Sequence, residues 1–208
     1  MSLYPIFLKL ENRPVLIVGA GKVALEKVES LLPTEARLTV VAPEARTEII
    51  RLARENKLTW IEREFLPSDI EGKFLVVTAT NFPAINHWVY ELCVERNILC
   101  NAVDDPPFCD FYFSSIVRRD DLQIAISTAG QSPAVAQRLR REIDEQLPED
   151  LGPWLANLGQ LRREVLSIYP PGESRRLLLH ELAQRSVCES PSCPSRQFAY
   201  ATARKETA

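Results

Sequence analysis

Histidine and cysteine are scarce: the sequence holds only His87 and His180, with Cys93, Cys100, Cys109, Cys188 and Cys193, among 208 residues. Structural metal sites gather three or four clustered ligands. Neither histidine has a cysteine or second histidine at ligand spacing, and Cys188-x4-Cys193 is not a standard zinc pair, so no resident metal is expected. An odd number of cysteines without regular spacing excludes a disulfide framework and reads as free thiols in a reducing cytoplasm. No apolar run approaches the roughly 20 residues that cross a bilayer. The N-terminal MSLYPIFLKLENRP lacks the basic start and cleavable apolar core of an export signal. Nor is basic charge in excess: 25 Lys and Arg against 28 Asp and Glu give a net charge of -3, which argues against general nucleic-acid binding. Internal repeats are missing as well. What remains is a soluble, cytoplasmic globular protein with an ordinary 46% of hydrophobic residues. Its length suits one full domain and a smaller appendage.

From Arg13 onward, short β-branched runs alternate with amphipathic stretches. PVLIVGAG (14–21) is an apolar run ending in glycines, as a buried parallel strand would be. KVALEKVESLL (22–32) places Val23, Leu25, Val28, Leu31 and Leu32 near one helical face. ARLTVVAP (36–43), LTWIEREF (58–65), KFLVVTAT (73–80) and ILCNAVDD (98–105) read as four further strands. Between them, EARTEIIRLARENK (44–57) and FPAINHWVYELCVERN (82–97) read as helices. This alternation predicts an α/β fold, a Rossmann-like doubly wound parallel sheet, over about residues 1–113. The pattern then changes. Two β-like runs flank the Arg118-Arg119-Asp120-Asp121 turn, a predicted antiparallel hairpin, and Ser132-Pro133 opens a helix as N-cap and first residue. A hairpin alone is marginally stable, so the segment 114–150 is expected to be completed by a second chain as a dimerisation segment. Helical stretches predict a small C-terminal helical domain over 151–185. Beyond it, 186–208 loses periodicity and reads as a flexible tail.

The sharpest local signal is Gly19-Ala20-Gly21-Lys22-Val23-Ala24, a G-x-G-x-x-A at a predicted strand-to-helix junction. The first glycine permits a tight turn and the second lets a pyrophosphate approach the backbone. The third position allows close helix–strand packing beside an anion at the helix N-terminus. This predicts a dinucleotide cofactor. The second strand ends in Ala42-Pro43 rather than in an acidic residue, so the ribose partner is not where it usually stands. Glu44 lies slightly late yet within reach, and Arg46 reads as an exposed helix arginine. On these residues alone, NAD and NADP remain open.

Several segments together resemble one family. They are YPIFLKLENRPVLIVGAGKVALEKVESLL, VVAPE, FLVVTATN, NAVDDPPFCDFYFSSIV and AISTAGQSPAVAQRLRREIDEQLP. Over about residues 4–185 the chain is similar to the precorrin-2 dehydrogenases, which are also the dehydrogenase/ferrochelatase portions of sirohaem synthases. The resemblance implies a nucleotide-binding domain, an intertwined dimerisation segment and a small helical domain. It implies NAD-dependent oxidation of precorrin-2 to sirohydrochlorin and, in some members, insertion of ferrous iron as a substrate. It also implies Asp104 as the catalytic aspartate, and nucleotide contacts at Lys22, Val23, Pro43, Glu44, Thr80, Asn81, Asn101 and Val103. No counterpart of the methyltransferase domain of fused sirohaem synthases follows, so synthesis of precorrin-2 itself is not expected.

The residues carry their own argument beside the resemblance. Asn101, Asp104 and Asp105 occupy the C-terminal end of a predicted sheet strand, where ligands bind in this fold class. A carboxylate there can take a proton as hydride leaves a macrocycle, or receive pyrrole protons as a metal enters. Asp105, followed by two prolines, competes with Asp104, and strand-end capping is the plain alternative for both. Precorrin-2 is a polycarboxylate, so its site should concentrate Arg and hydroxyl side chains locally. Arg118, Arg119, Ser127, Thr128 and Ser132 are the candidates. Arg138, Arg140 and Arg141 read equally as a solvated helix face with pairs such as Arg141 with Glu145. Two other functions fit the same motifs: an NAD(H)-sensing module without catalysis, and a tetrapyrrole chelatase without redox activity.

Overall fold

A computed structural model of the chain describes residues 3–183. The expectations for the tail from 186, with Cys188 and Cys193, lie outside the described residues. The chain divides into two compact units, Met1–Tyr112 and Phe113–Ala208.

The first unit runs β1 (Pro14–Val18), α1 (Lys22–Leu31), β2 (Arg37–Val41), α2 (Thr47–Arg54), β3 (Thr59–Ile61), β4 (Leu75–Thr78), α3 (Pro83–Glu95) and β5 (Leu99–Ala102). Its five strands stand in the order β3-β2-β1-β4-β5, and every pair is parallel. The predicted Rossmann-like doubly wound sheet is therefore present. Central strands of such a sheet are covered on both faces, which calls for continuous apolar runs. Val15 to Val18 and Leu75 to Thr78 are buried without a break. Leu16, Val18, Val41, Ile70, Val76, Val89, Cys93, Ile98 and Cys100 form one core cluster. Each large aliphatic member contributes about 1.5–3 kcal/mol by leaving water.

Three local expectations need correction. Val23 does not face the core; it is 37% exposed, and Ala24, Leu25, Val28 and Leu31 are buried instead. The small Ala24 is what lets α1 lie close to the sheet. Helix α2 starts at Thr47 because Arg46 keeps an extended backbone and its N–H donates to Ala20 O at 3.2 Å. The third strand is only three residues long. Past Ile61 the alternation persists in sequence, but Arg63 N–H turns back onto Ile61 O at 3.0 Å. The Arg63 guanidinium then grips Asp69 in a two-toothed pair at 2.8 and 2.6 Å, ending the strand.

The second unit opens with the predicted hairpin, β6 (Ser115–Arg119) and β7 (Leu122–Ile126), antiparallel from Ser115 opposite Ile126 to Arg119 opposite Leu122. Asp120 turns the chain at φ 50°. Three helices follow, α4 (Pro133–Gln146), α5 (Leu151–Ile168) and α6 (Glu173–Leu182). Ser132 caps α4 as predicted, its hydroxyl accepting from Val135 N–H at 3.3 Å, with Pro133 in the first turn. The ion pairs along α4 are Arg138–Glu142 at 3.3 Å and Arg140–Asp144 at 3.4 Å, rather than Arg141–Glu145. Among the described residues, no helix is long and apolar enough to cross a membrane.

Candidate functional site

The sheet order reverses between β1 and β4, and ligands of doubly wound folds bind at the carboxyl ends of strands at such a reversal. An open cleft of about 620 Å³ lies there. Gly19, Gly21, Pro43, Glu44, Thr80 and Asn81, all predicted contacts, line it. Gly19 sits at φ 105°, and a Cβ on it would stand 2.5 Å from Ala79 O. The ends of β1 and β4 therefore meet too closely for any side chain. Gly21 has the opposite surroundings: it caps α1 with no side-chain hydrogen bond, and nothing lies within 4 Å of a Cβ placed there. The N–H groups of the first turn, on Lys22, Val23 and Ala24, have no intrahelical acceptor. They form an electropositive cradle that a side chain at 21 would fill. These residues fit a dinucleotide pyrophosphate.

The wall formed after β2 carries Pro43 and Glu44, and with them Arg46. Arg46 is not a helix arginine but the residue before α2, fixed to the glycine turn through its backbone. Its guanidinium meets Glu48 Oε1 at 3.1 Å. That hydrogen bond, with help from the Thr47 hydroxyl, draws the Glu48 carboxyl down to about 2. An aromatic and apolar wall also went unread in the sequence: Phe65, Phe82, Ile85 and Trp88 line the cleft. Phe65 and Trp88 meet edge to face at 5.5 Å. The available signal was the i, i+3 spacing of Ile85 and Trp88 on α3, with Phe82 standing just before the helix.

At the end of β4, Asn86 of α3 organises the backbone. Its Oδ1 accepts from the Thr78 hydroxyl, from Thr80 N–H at 3.2 Å and from the Thr80 hydroxyl at 2.7 Å, and its Nδ2 donates to Thr80 O at 3.1 Å. Thr80 and Asn81 are thereby held at the cleft mouth.

Beyond β5, Val103 N–H donates to Thr78 O at 3.0 Å and Asp105 N–H to Ala102 O at 3.1 Å. Asp104 occupies the turn so made at φ 64°, a left-handed conformation that aspartate tolerates better than most residues, and its side chain is exposed. Asp105 points elsewhere: its Oδ2 accepts from His87 Nε2 at 2.6 Å. Nothing in the local pattern around His87 announces this pairing, which spans 18 residues. Asn101 is buried, and its Nδ2 donates to Phe111 O at 2.6 Å and to Cys109 Sγ at 3.3 Å. Its donors hold the following loop against β5. Burial pushes the Cys109 thiol up to about 11. It stays protonated and contacts Ala102 O at 3.0 Å and Asp105 O at 3.2 Å. Among the described residues, no three His, Cys, Asp or Glu side chains gather as metal ligands.

The remaining candidates belong to the second unit. Ala129 and Gly130, at φ 51° and 80°, fold the loop before α4. Within it the Ser127, Thr128 and Ser132 hydroxyl oxygens accept from Ala129, Ser132 and Val135 N–H. A hydroxyl that accepts in this way still keeps its own proton to donate. Arg118 is exposed. Arg119 is committed inward, to Asp144 Oδ1 at 2.6 Å, Asp144 O at 2.8 Å and Leu147 O at 3.3 Å. It ties β6 to the end of α4.

Residues 6–115 match the family described as Putative NAD(P)-binding, and residues 119–146 the one described as Sirohaem biosynthesis protein central. The chain is 42% identical over 187 residues to "Siroheme synthase" of Pseudoalteromonas translucida, covering 90% of this chain and 40% of that protein. It is 42% identical over 177 residues to "Siroheme synthase 3" of Aeromonas hydrophila, covering 85% of this chain and 38% of that one. It thus spans about two fifths of the length of these curated relatives. Among solved structures, "SirC, precorrin-2 dehydrogenase" superposes with a TM-score of 0.76 at 24% identity, covering 97% of this chain and 100% of that one.

Proposed function

The chain belongs to the putative NAD(P)-binding family, in the form carried by siroheme synthases, and on that premise we propose that it oxidises precorrin-2 to sirohydrochlorin with NAD+. The observation that carries this reading is a juxtaposition at one end of one sheet. The nucleotide cradle of Gly19 and Gly21 opens at the β1–β4 reversal, and the exposed carboxylate of Asp104 stands in the turn after neighbouring β5.

When bound, NAD+ supplies the hydride acceptor. Gly21 and the first turn of α1, with Lys22 and Val23, would hold the pyrophosphate. Pro43 and Glu44 would meet the ribose, and Thr80 and Asn81 shape the cleft mouth at β4. Glu44 and Glu64 line the cleft while the charge of Arg46 is held by Glu48, a balance that favours NAD over the extra phosphate of NADP. Asn101 and Val103 serve through the backbone they fix. Loss of a hydride from precorrin-2 leaves a cation whose ring proton must go to a base, and Asp104 takes it. Ser127, Thr128 and Ser132, each with a hydroxyl proton to donate, and Arg118 receive the substrate carboxylates. Arg119 supports that segment from behind. Ferrous iron enters the same reading as a second substrate, with Asp104 receiving the displaced pyrrole protons.

The protein acts as a cytoplasmic homodimer. Among the described residues of the second unit only Val117, Ala136, Leu151 and Val165 are buried hydrophobics, whereas Ile116, Leu161, Leu166, Ile168, Tyr169 and Leu177 are exposed. That is a poor core for an independent unit and a good surface for a second copy. Sedimentation at micromolar concentration will give twice 23.6 kDa; a compact monomer contradicts it. The activity is tested by anaerobic incubation of the chain with precorrin-2 and NAD+ or NADP+. Absorbance will report sirohydrochlorin formation that depends on NAD+, with one NADH per product. Tight NAD+ binding with precorrin-2 left unchanged would instead favour a nucleotide sensor.

A further inference from the structure

His87 enters neither the nucleotide cleft nor the core, yet it is held twice beside the Asp104 turn, by a hydrogen bond and by a ring stack. Its Nε2–H donates to Asp105 Oδ2 at 2.6 Å, since a carboxylate offers only acceptors. Its ring lies flat on Phe108, with centroids 3.7 Å apart and planes 12° from parallel. Tyr90, one turn further along α3, meets the same phenyl ring edge-on at 5.5 Å. Both partners flank the turn: Asp105 follows Asp104 directly, and Phe108 N–H closes back onto Asp105 O at 3.0 Å.

The arrangement contributes little as a stability device. The His87 and Asp105 side chains are 34% and 36% exposed, and ion pairs so open to water are weak. Its geometric consequence is larger. Asp104 and Asp105 are adjacent carboxylates at a strand end, and a turn with one left-handed residue has several ways to relax. Tying Asp105 to α3 fixes which carboxylate is free, and fixes the direction in which it projects.

Resting on the dehydrogenase reading above, we infer that His87 is a positioning residue for Asp104, acting through its hydrogen bond to Asp105 and its stack on Phe108. Precise placement of a base matters because a displacement of about 1 Å can cost roughly a hundredfold in rate. His87 touches neither substrate nor nucleotide in this account. Its loss therefore lowers kcat while KM for NAD+ stays.

The test compares two variants of the full chain with wild type in the NAD-dependent assay. His87→Phe keeps a flat ring for Phe108 and removes the donor; His87→Gln keeps a donor in the place of Nε2. His87→Phe is expected to lower kcat about ten- to a hundredfold with KM for NAD+ changed less than about twofold. His87→Gln restores most of the loss. Equal kcat in wild type and His87→Phe, or equal damage in both variants, overturns the assignment. Should His87→Phe not fold, Asp105→Leu removes the same bond from the other side and must show the same split. A wild-type chain without activity refutes the dehydrogenase reading alone. Amide exchange then decides the positioning role, since Asp105 and Phe108 N–H must exchange faster in His87→Phe, and unchanged exchange overturns it.

Discussion

Gly19 and Gly21 are two residues apart, and alanine at each will do opposite things. At Gly19 the backbone stands at φ 105°, a region that an L side chain enters at about 1–3 kcal/mol. Its Cβ would also lie 2.5 Å from Ala79 O and 2.9 Å from Ala79 C. Backbone cannot swing aside as a side-chain tip does, so the ends of β1 and β4 must part, an overpacking cost of about another 1–3 kcal/mol. At about 2–4 °C per kcal/mol for a chain of this size, Gly19→Ala lowers Tm by roughly 5–20 °C. At Gly21 the backbone has φ −77°, and nothing lies within 4 Å of the new methyl group. The poorer cap and the stiffer unfolded chain offset each other to within about 1 kcal/mol. The methyl group nevertheless occupies the approach to the α1 N-terminus, so NAD(H) binding weakens at least about tenfold. Calorimetry and an NADH fluorescence titration on both variants read the two effects separately. A Gly19→Ala protein melting like wild type, or a Gly21→Ala protein that loses stability and keeps its nucleotide, would refute the reasoning.

Other expectations follow from individual contacts. The hydrogen bond from Arg63 holds the Asp69 carboxyl below its ordinary 3.8. A folded-state value below the unfolded one stabilises fully above the unfolded value, and is lost as pH falls through the folded one. Asp69→Asn will therefore lower Tm near neutral pH and flatten the decline below about pH 4 in a melting series. Arg119→Lys leaves one point charge where a fork spans Asp144 and Leu147, and will destabilise the second unit by about 1–3 kcal/mol in denaturant unfolding. Glu48→Gln unpairs Arg46 at the cleft, so NADP+ will bind a few-fold more tightly at low salt while NAD+ is unaffected, measured by titration. Unchanged NADP+ affinity would remove Arg46 from the account of specificity.

The parts of the molecule that were legible in sequence are those written in local pattern. Buried strands announce themselves as apolar runs, and β1 and β4 were read closely. The G-x-G-x-x-A motif gave the cradle because its requirements are backbone requirements, confined to consecutive residues. Ser132-Pro133 gave the start of α4 for the same reason. What stayed hidden depends on pairing across the fold. His87 meets Asp105 across 18 residues, and Asn101 spends its donors ten residues away on Phe111. No periodicity distinguishes such residues from surface or ligand-binding ones. Arg119 has the local pattern of a substrate arginine, but its partner Asp144 stands 25 residues on. An apolar count places Val23 inward, whereas the sheet accepts the smaller Ala24 at close approach and leaves Val23 37% exposed. The third strand was overlong because alternation continues past Ile61 while the Arg63–Asp69 pair bends the chain away.

The central claim is that Asp104 does its chemistry beside a nucleotide held at the glycine turn. Its most direct test is to run wild type and Asp104→Asn side by side, anaerobically, with precorrin-2 and NAD+, recording sirohydrochlorin and NAD+ affinity in the same preparations. Asparagine suits the left-handed turn as aspartate does, so the fold and the nucleotide site should be intact. The account predicts unchanged NAD+ binding with turnover reduced at least about a hundredfold. Turnover in Asp104→Asn equal to wild type would contradict it.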